Sequence, residues 1–272
     1  MVMQMIRPGF RIAALTLLLA GFAIRLLDVT DPPLDFHPSR QLFAYTNARG
    51  IYYALAPADA ADAAIREKAI DAWQATDRYE PRILESIVAV LYLLLGGENF
   101  WIARILMSLI WAGGGWVLYQ LARKLTGPGG GLFSLGYYLF LPFSIQASRS
   151  FQPDVLMVVG LICTAYLLLR WSEERSWKFS VFAGTMGGLT VLVKAQGIFA
   201  VSTMAVMVVW MTCGFRAPPS WIPKVAGHSR RWSGGSARSR IRRLRNMIPS
   251  RPFCSKPRRC GRVARSRRSH PR

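Results

Sequence analysis

Long apolar runs separated by short polar segments dominate the first 215 residues of the chain. The first run, Ile12–Ile24, is uninterrupted. Five further runs have the same character, and they are Trp101–Ala122, Leu132–Ala147, Val155–Leu169, Phe179–Val193 and Ala195–Phe215. Apolar runs of this kind are typical of helices that cross a bilayer. The pattern predicts an all-α, polytopic helical membrane protein with about six transmembrane helices.

The first run has two interpretations. It follows Arg7 and Arg11, and a basic segment before a short apolar run is also the pattern of a signal peptide. However, a small-x-small cleavage pattern is missing, Arg25 interrupts the end of the run, and further apolar runs follow. We therefore expect residues 1–27 to form an uncleaved signal-anchor transmembrane helix with its N-terminus in the cytoplasm.

Residues 28–100 are predicted to form an outer loop with juxtamembrane helices. Within this segment Ala58–Trp73 is rich in alanine, which favours an exposed or interfacial helix. Ile83–Leu95 is apolar except for Glu85, but it is short for a bilayer core of about 30 Å.

The basic loops decide whether Ile83–Leu95 crosses the membrane. Basic residues follow the apolar runs at Arg123-Lys124, in residues 170–178 and from Arg216 onward. If Ile83–Leu95 crossed, all three segments would lie outside while the N-terminal arginines lay inside. If it lies on the outer surface, every basic segment is cytoplasmic, as the positive-inside rule requires. We expect the second arrangement, with a transmembrane bundle at 101–215 in the inner or plasma membrane.

Composition agrees with a membrane protein, but the charge is unevenly distributed. Hydrophobic residues make up 52% of the chain and the mean hydropathy is +0.23. The net charge of +21 alone would suggest a nucleic-acid partner. Residues 216–272 hold 18 of the 35 Lys and Arg residues and no acid. Residues 1–215 therefore carry 17 basic and 14 acidic side chains, a net charge of only +3.

The segment 216–272 is predicted to be a disordered, Arg-rich tail, because it lacks the apolar residues needed to fold alone. It could be an arm that binds nucleic acid or anionic lipid. Alternatively, a GC-rich gene read out of frame would give the same composition. We expect the second explanation and no nucleic-acid partner. The four cysteines, Cys163, Cys213, Cys254 and Cys260, show no metal spacing and are expected to be free thiols.

The predicted topology brings three polar clusters to the outer face. They are the segment LDFHPSRQ at 34–41, the segment RSFQPD at 149–154, and the turn KAQG at 194–197. Polar and charged side chains at such positions in a membrane protein indicate a binding or catalytic site. We expect Asp35, Asp154, Arg149 and Lys194 to converge there.

Each of these residues also has a simpler structural explanation. Asp35 could be a turn residue before Pro38, and Asp154 could cap the helix that begins at Val155. Arg149 could extend toward the lipid headgroups. Lys194 could lie at the interface at little cost if the chain turns there.

Four segments together resemble a family 39-type membrane glycosyltransferase, related to the protein O-mannosyltransferases and the aminoarabinose transferases. They are LDFHPSRQ with ARGIYY (34–53), YEPRILE (79–85), ARILMSLIWAGGGWVLYQLARKLTG (103–127) and SRSFQPDVLM (148–157). The resemblance covers residues 10–215, the N-terminal half of such enzymes. It implies a C-type glycosyltransferase fold with an active site at the outer face of the membrane. This chain has Asp35-Phe36 where the family has Asp-Glu, which puts the role of a second acid in doubt.

The resemblance implies transfer of a sugar from a polyprenyl-phosphate donor to an acceptor hydroxyl. Asp35 is then the candidate base, and Asp154 is the second catalytic acid. The candidate phosphate-binding residues are Arg40, Arg149 and Lys194, because cations can hold the phosphate leaving group. Glu80 is a further candidate substrate-binding residue, because Glu80-Pro81 matches the Glu-Pro element of the family. A divalent cation is a possible cofactor, with His37 as a weak candidate ligand. Membrane lipids are further expected partners.

Two other functions are consistent with parts of the sequence. A transporter or permease fragment would use the same charges to line a substrate path, and a membrane anchor would use the basic tail. A transporter would be expected to have charged residues near the middle of its spans. The only charged residue in the runs Trp101–Ala122 and Leu132–Ala147 is Arg104, near one end. We expect the chain to be a truncated glycosyltransferase with little or no activity of its own.

Overall fold

The computed structural model describes residues 8–57, 60–76 and 80–212. The chain divides into two units, Met1–Ile222 and Pro223–Arg272, and every described residue belongs to the first. The predicted disordered tail, Cys213, Cys254 and Cys260 lie outside the described residues. Cys163 is a free thiol, as predicted.

The described part of the chain consists of α-helices and their connections, without strands. The helices are α1 Pro8–Arg25, α2 Pro38–Leu55, α3 Ala63–Gln74, α4 Ile83–Leu95, α5 Phe100–Thr126, α6 Pro128–Phe140, α7 Pro142–Arg149, α8 Pro153–Glu174, α9 Trp177–Val193 and α10 Gly197–Thr212. The predicted all-α class is therefore confirmed.

Three helices, α1, α5 and α8, are long and apolar enough to cross a membrane. The apolar helices α4, α9 and α10 are shorter. Large apolar side chains such as Leu19 and Phe199 are at least 70% exposed on the outside of the bundle. Apolar surface of this extent is suited to contact with lipid.

The predicted span Leu132–Ala147 is not one helix, because the chain breaks between α6 and α7 at Leu141. Pro142 starts α7, and proline has no N–H with which to continue the helical hydrogen bonds. The hydroxyl of Ser144 donates a hydrogen bond to the Tyr138 carbonyl at 2.6 Å and so satisfies a carbonyl beside the break. The sequence prediction missed the break because both sides of it are apolar.

The buried guanidinium of Arg25, at the end of α1, holds the region of the break. Its Nη2 donates to the Leu139 carbonyl at 3.1 Å, its Nε to the Ser148 hydroxyl at 2.6 Å, and its Nη1 to the Gly21 carbonyl at 2.6 Å. Arg25 therefore joins α1 to both halves of the broken helix. Backbone groups in a bilayer need such internal partners, since lipid offers none.

Helix α2 occupies part of the segment that was predicted only as an outer loop with helical stretches. Its buried residues follow a helical spacing, at Gln41, Ala44, Tyr45, Ala48 and Tyr52. The predicted helix Ala58–Trp73 is found as α3, Ala63–Gln74, and Ile83–Leu95 is found as α4 with the predicted bounds. Helices α3 and α4 pack against α2. Whether α4 lies on the outer surface stays a prediction.

Helix α5 is the central helix of the bundle and packs against α1, α6 and α8. The ring of Trp111 stacks on Tyr138 of α6, with centroids 4.3 Å apart and planes 6° from parallel. Gly114 allows close approach of α8, since a Cβ there would lie 2.6 Å from Cγ2 of Val159.

We predict that Gly50→Ala destabilises the bundle. A Cβ at Gly50 would lie 2.1 Å from Cβ of Trp73 and 2.9 Å from the Ala69 carbonyl oxygen, so α2 and α3 would have to separate. Overpacking of this kind costs about 1–3 kcal/mol. The measurement is the thermal unfolding midpoint in detergent. Gly113→Ala is the matched control, because nothing lies within 4 Å of its Cβ position and alanine favours the helix. Equal midpoints for the two variants would contradict the prediction.

Candidate functional site

The candidate site lies at one end of the bundle, here called the loop end, where residues 28–41, 149–154 and 194–197 meet. Arg104, near the start of α5, anchors this end and is only 1% exposed. Its Nη1 donates to the Asp28 carbonyl at 2.7 Å. Its Nη2 donates to the Pro32 carbonyl at 3.3 Å and to Oδ1 of Asp35 at 3.2 Å. One guanidinium therefore holds the whole connection between α1 and α2.

Asp35 is the last residue before two strained positions. Phe36 and His37 both have positive φ, 22° and 58°, which costs a side-chain-bearing residue energy. Pro38 then starts α2. The Asp35 side chain, although paired with Arg104, remains 36% exposed. The strained turn and the ion pair together fix an accessible carboxylate at the end of α2.

Two buried glutamines fasten this turn to the second polar cluster. The Gln41 Nε2 donates to the backbone carbonyls of Asp35 and Phe36 at 2.7 and 3.0 Å, and its Oε1 accepts from the Phe151 N–H at 3.4 Å. The Gln152 Nε2 also donates to the Phe36 carbonyl, at 3.1 Å. Segments more than 100 residues apart in sequence are thereby held in register.

Asp154 lies between two cations from different parts of the chain. One of its carboxylate oxygens accepts a hydrogen bond from Nζ of Lys194, and the other lies 3.8 Å from Nη1 of Arg40. The Lys194 side chain is 10% exposed and that of Arg40 is 65% exposed. Two cations share one carboxylate, which leaves one net positive charge at this position. Such a site attracts an anion.

A cavity of about 280 Å³ opens beside this charge cluster. Its lining combines polar groups with aromatic rings, from Phe36, His37, Arg40, Trp111, Phe143, Ala147, Ser150, Gln152, Asp154, Val155 and Val158. The Phe36 ring packs edge-on against Phe143, with centroids 5.2 Å apart. We call this space the polar cavity. Phe36, at the position where the resemblance implied a second acid, is thus part of an aromatic wall.

An apolar crevice of about 370 Å³ borders the polar cavity. It lies between α5, α6 and α8, and its lining is mainly aromatic and aliphatic, from Trp111, Leu118, Phe133, Ser134, Tyr137, Tyr138, Leu141, Ser144, Val158 and Ile162. Trp111 and Val158 line both spaces. A ligand with a charged head and a long apolar chain could therefore occupy both at once.

The structure brings some of the predicted site residues together and leaves others apart. Arg40, Asp154 and Lys194 form one cluster, and His37 lies at the cavity wall. Asp35 lies beside the cavity but does not line it. Arg149 points to the α1–α2 connection, where its Nη2 donates to the Asp28 carbonyl at 3.2 Å.

Glu80 and His37 are not among the side chains that pair with Asp154, although the Arg40 N–H donates to the His37 carbonyl at 3.1 Å. Glu80 is exposed at the start of α4, near Glu85, whose pKa is raised mainly by burial. The His37 ring packs edge-on against Phe36, with centroids 4.8 Å apart. Among residues 8–57, 60–76 and 80–212, no three His, Cys, Asp or Glu side chains are grouped so that they could hold a metal ion.

Three residues of the site were not predicted. Gln41 and Gln152 stood in the segments that carried the family resemblance but received no role, because a glutamine's partners cannot be identified from the sequence. Arg104 had a detectable signal, since a cation inside an apolar run is costly and needs a partner. The same reasoning had selected Lys194.

Comparison with known proteins assigns most of this bundle to one family. The family model described as dolichyl-phosphate-mannose-protein mannosyltransferase matches residues 81–225, which is more than half of the chain and includes α4 to α10. Neither the search of curated proteins nor the search of solved structures found a match.

We predict that Arg104→Met unfolds the loop end and lowers stability by on the order of 3 kcal/mol, because the buried hydrogen bonds to three acceptors are lost together. The measurement is the unfolding free energy in detergent with a denaturant titration. Lys124→Met is the control, since Lys124 pairs with Glu173 and their side chains are 23% and 39% exposed. An exposed pair contributes about 0–1 kcal/mol. A cost for Arg104→Met no larger than that of the control would refute the anchoring role.

Proposed function

The chain belongs to the dolichyl-phosphate-mannose-protein mannosyltransferase family, and from this premise we propose that its site serves transfer of a sugar from a polyprenyl-phosphate donor to an acceptor hydroxyl. Membership makes it a multi-pass membrane glycosyltransferase of the mannosyltransferase-like kind. The donor, the hydroxyl acceptor, the outer face of the inner or plasma membrane and the cytoplasmic N-terminus are part of the proposal.

The observation that carries the proposal is the junction of the polar cavity with the apolar crevice. A polyprenyl-phosphate sugar is an amphiphile whose charged phosphate separates a sugar from a long hydrocarbon chain. The crevice offers an apolar path between α5, α6 and α8 for the chain. The polar cavity offers room for the sugar, beside the cluster of Arg40, Asp154 and Lys194. The crevice, the charge cluster and the polar cavity thus offer one suitable environment for each of the three parts of the donor.

The positive charge at Asp154 is suited to the phosphate. When the sugar's anomeric carbon is attacked, the bond to the phosphate oxygen breaks and the phosphate leaves as an anion. Arg40 and Lys194 are the cations that would stabilise this charge. Arg40 is exposed enough to reorient toward a ligand, whereas Lys194 is held by Asp154. We assign Asp154 the role of positioning Lys194, because its carboxylate lies between Lys194 and Arg40.

Asp35 is the better candidate for the base. Its carboxylate is partly exposed and is held in place by Arg104 and the strained turn. An acceptor hydroxyl placed between Asp35 and the sugar would lose its proton to this carboxylate as its oxygen attacks. Substrate binding by Glu80 and by Arg149 remains a proposal. In this structure Arg149 contacts the α1–α2 connection. The low activity expected for this chain also stays a prediction.

We predict that Lys194→Met weakens binding of a polyprenyl monophosphate to the full chain in lipid nanodiscs by at least about ten-fold, a loss of about 1.4 kcal/mol. The variant removes one of the two cations beside Asp154. Native mass spectrometry across a lipid titration measures the bound fraction. Lys124→Met, which removes a cation from a pair with Glu173, should bind as the unaltered chain does. Unchanged binding by Lys194→Met would exclude Lys194 from the phosphate site.

The crevice gives a second, independent prediction. Val158 lines both spaces, so Val158→Trp should close the passage between them. We expect this variant to lose its preference for a long polyprenyl phosphate over a single-isoprene phosphate while still binding the short one. Competition between the two lipids in nanodiscs measures the preference. Leu109→Trp is the control, because Leu109 lies in α5, is exposed and lines neither space. A long-chain preference that survives in Val158→Trp would place the chain elsewhere.

A further inference from the structure

A second cavity, of about 370 Å³, lies between α2, α4 and the start of α5. Its lining residues are Leu42, Tyr45, Thr46, Arg49, Tyr92, Glu98, Asn99 and Phe100. None of them lines the polar cavity or the apolar crevice. The proposed donor site therefore leaves this space without a role.

An ion pair between Arg49 and Glu98 forms the polar side of the second cavity. Arg49 Nε lies 2.7 Å from Oε2 of Glu98, and the hydroxyl of Tyr53 donates to Oε1 at 3.1 Å. The guanidinium also lies over the Tyr53 ring, 5.7 Å from its centroid. Burial, and then Glu98, raises the pKa of Tyr53, so its hydroxyl remains a donor. The pair is neutral as a whole, well oriented, and still partly exposed, by 46% and 31%.

Aromatic rings form the other side of the cavity. Tyr45 and Phe100 pack edge-on with centroids 4.9 Å apart, and the Tyr45 hydroxyl donates to the Phe100 carbonyl at 3.1 Å. Tyr92 packs edge-on against Tyr52 of α2, with centroids 5.9 Å apart. These contacts hold the rings rigidly. Phe100 remains 43% exposed, which leaves ring surface for a ligand.

We propose that this second cavity binds a neutral carbohydrate ring, and, resting on the proposed function, that this ring is part of the acceptor. A pyranose has C–H faces that pack on aromatic rings, and it has neighbouring hydroxyls that both donate and accept hydrogen bonds. The glutamate accepts from such hydroxyls, while the guanidinium and Asn99 donate to them. A free phosphate fits less well, because the Glu98 carboxylate repels an anion at the place where Arg49 would bind it.

The second cavity lies close to the proposed base. The Tyr45 ring lines this cavity and also packs against Phe151, with centroids 4.9 Å apart. Burial raises the pKa of the Tyr45 phenol, and the nearby Arg104 opposes this rise. Tyr45 thus stands between the second cavity and the Arg104–Asp35 pair. A saccharide longer than one ring could extend from the cavity toward Asp35.

The test is saturation-transfer difference NMR on the purified full chain in lipid nanodiscs, with methyl α-mannopyranoside as the probe and empty nanodiscs as the blank. We expect a signal for the unaltered chain and about a ten-fold weaker affinity for Glu98→Gln, which keeps the shape but loses the charge. Glu173→Gln is the matched control, since it makes the same change in another partly exposed ion pair and should leave the signal unchanged. Inorganic phosphate should not displace the probe.

Each other result would overturn the inference. The inference fails if the unaltered chain gives no signal, if Glu98→Gln gives an equal signal, or if phosphate displaces the probe. A probe bound in the polar cavity would be recognised by an equal signal from Glu98→Gln. If Glu98→Gln does not fold, Phe100→Leu replaces it, and a full signal from that variant counts against the aromatic contact. Polyprenyl-phosphate binding is measured on the same preparation. A chain that binds the lipid but not the sugar would refute this inference and leave the proposed donor site standing.

Discussion

The buried Arg104 guanidinium is the interaction on which the loop end depends. Three acceptors from the segment 28–35 converge on this one side chain. A charge placed near the end of a membrane helix is costly unless it is paired, so the segment must follow the guanidinium. The turn at Phe36 and His37 then starts α2, and the buried glutamines hold that turn against residues 150–154. These contacts together leave the Asp35 carboxylate fixed in place and partly exposed.

Arg25, the last residue of α1, is a second buried cation that needs partners inside the protein. Both arginines are about 1% exposed, and both donate to backbone carbonyls as well as to side chains. Arg25 holds the break between α6 and α7, where proline interrupts the helical hydrogen bonds. Charges engaged in this way are fixed parts of the scaffold, whereas a substrate path requires groups that exchange partners. This distinction favours a surface site over the conduit of a transporter.

The sequence was sufficient for the apolar helices and insufficient for the contacts between them. Ile83–Leu95 was found with its predicted bounds because an apolar run between turn residues is a strong local signal. Helix α2 was missed because its buried stripe consists of glutamine, alanine and tyrosine, which carry little hydrophobic contrast. The break at Pro142 was overlooked although the proline was visible. Asp154 and Lys194 were expected to converge at one face, but the sequence did not show that Asp154 pairs with both Lys194 and Arg40.

The arrangement of the spaces follows from how the helices are interrupted. The break before Pro142 places Leu141 and Ser144 on the crevice, and the turn before Pro38 places Phe36 and His37 on the polar cavity. Without the break before Pro142, α6 and α7 would form one helix. Trp111 contributes to both spaces, because its ring stacks on Tyr138 in the crevice and also lines the polar cavity. The polar cavity and the apolar crevice thus share a single tryptophan of the central helix. This geometry favours the amphiphilic donor that we propose over a purely polar sugar donor.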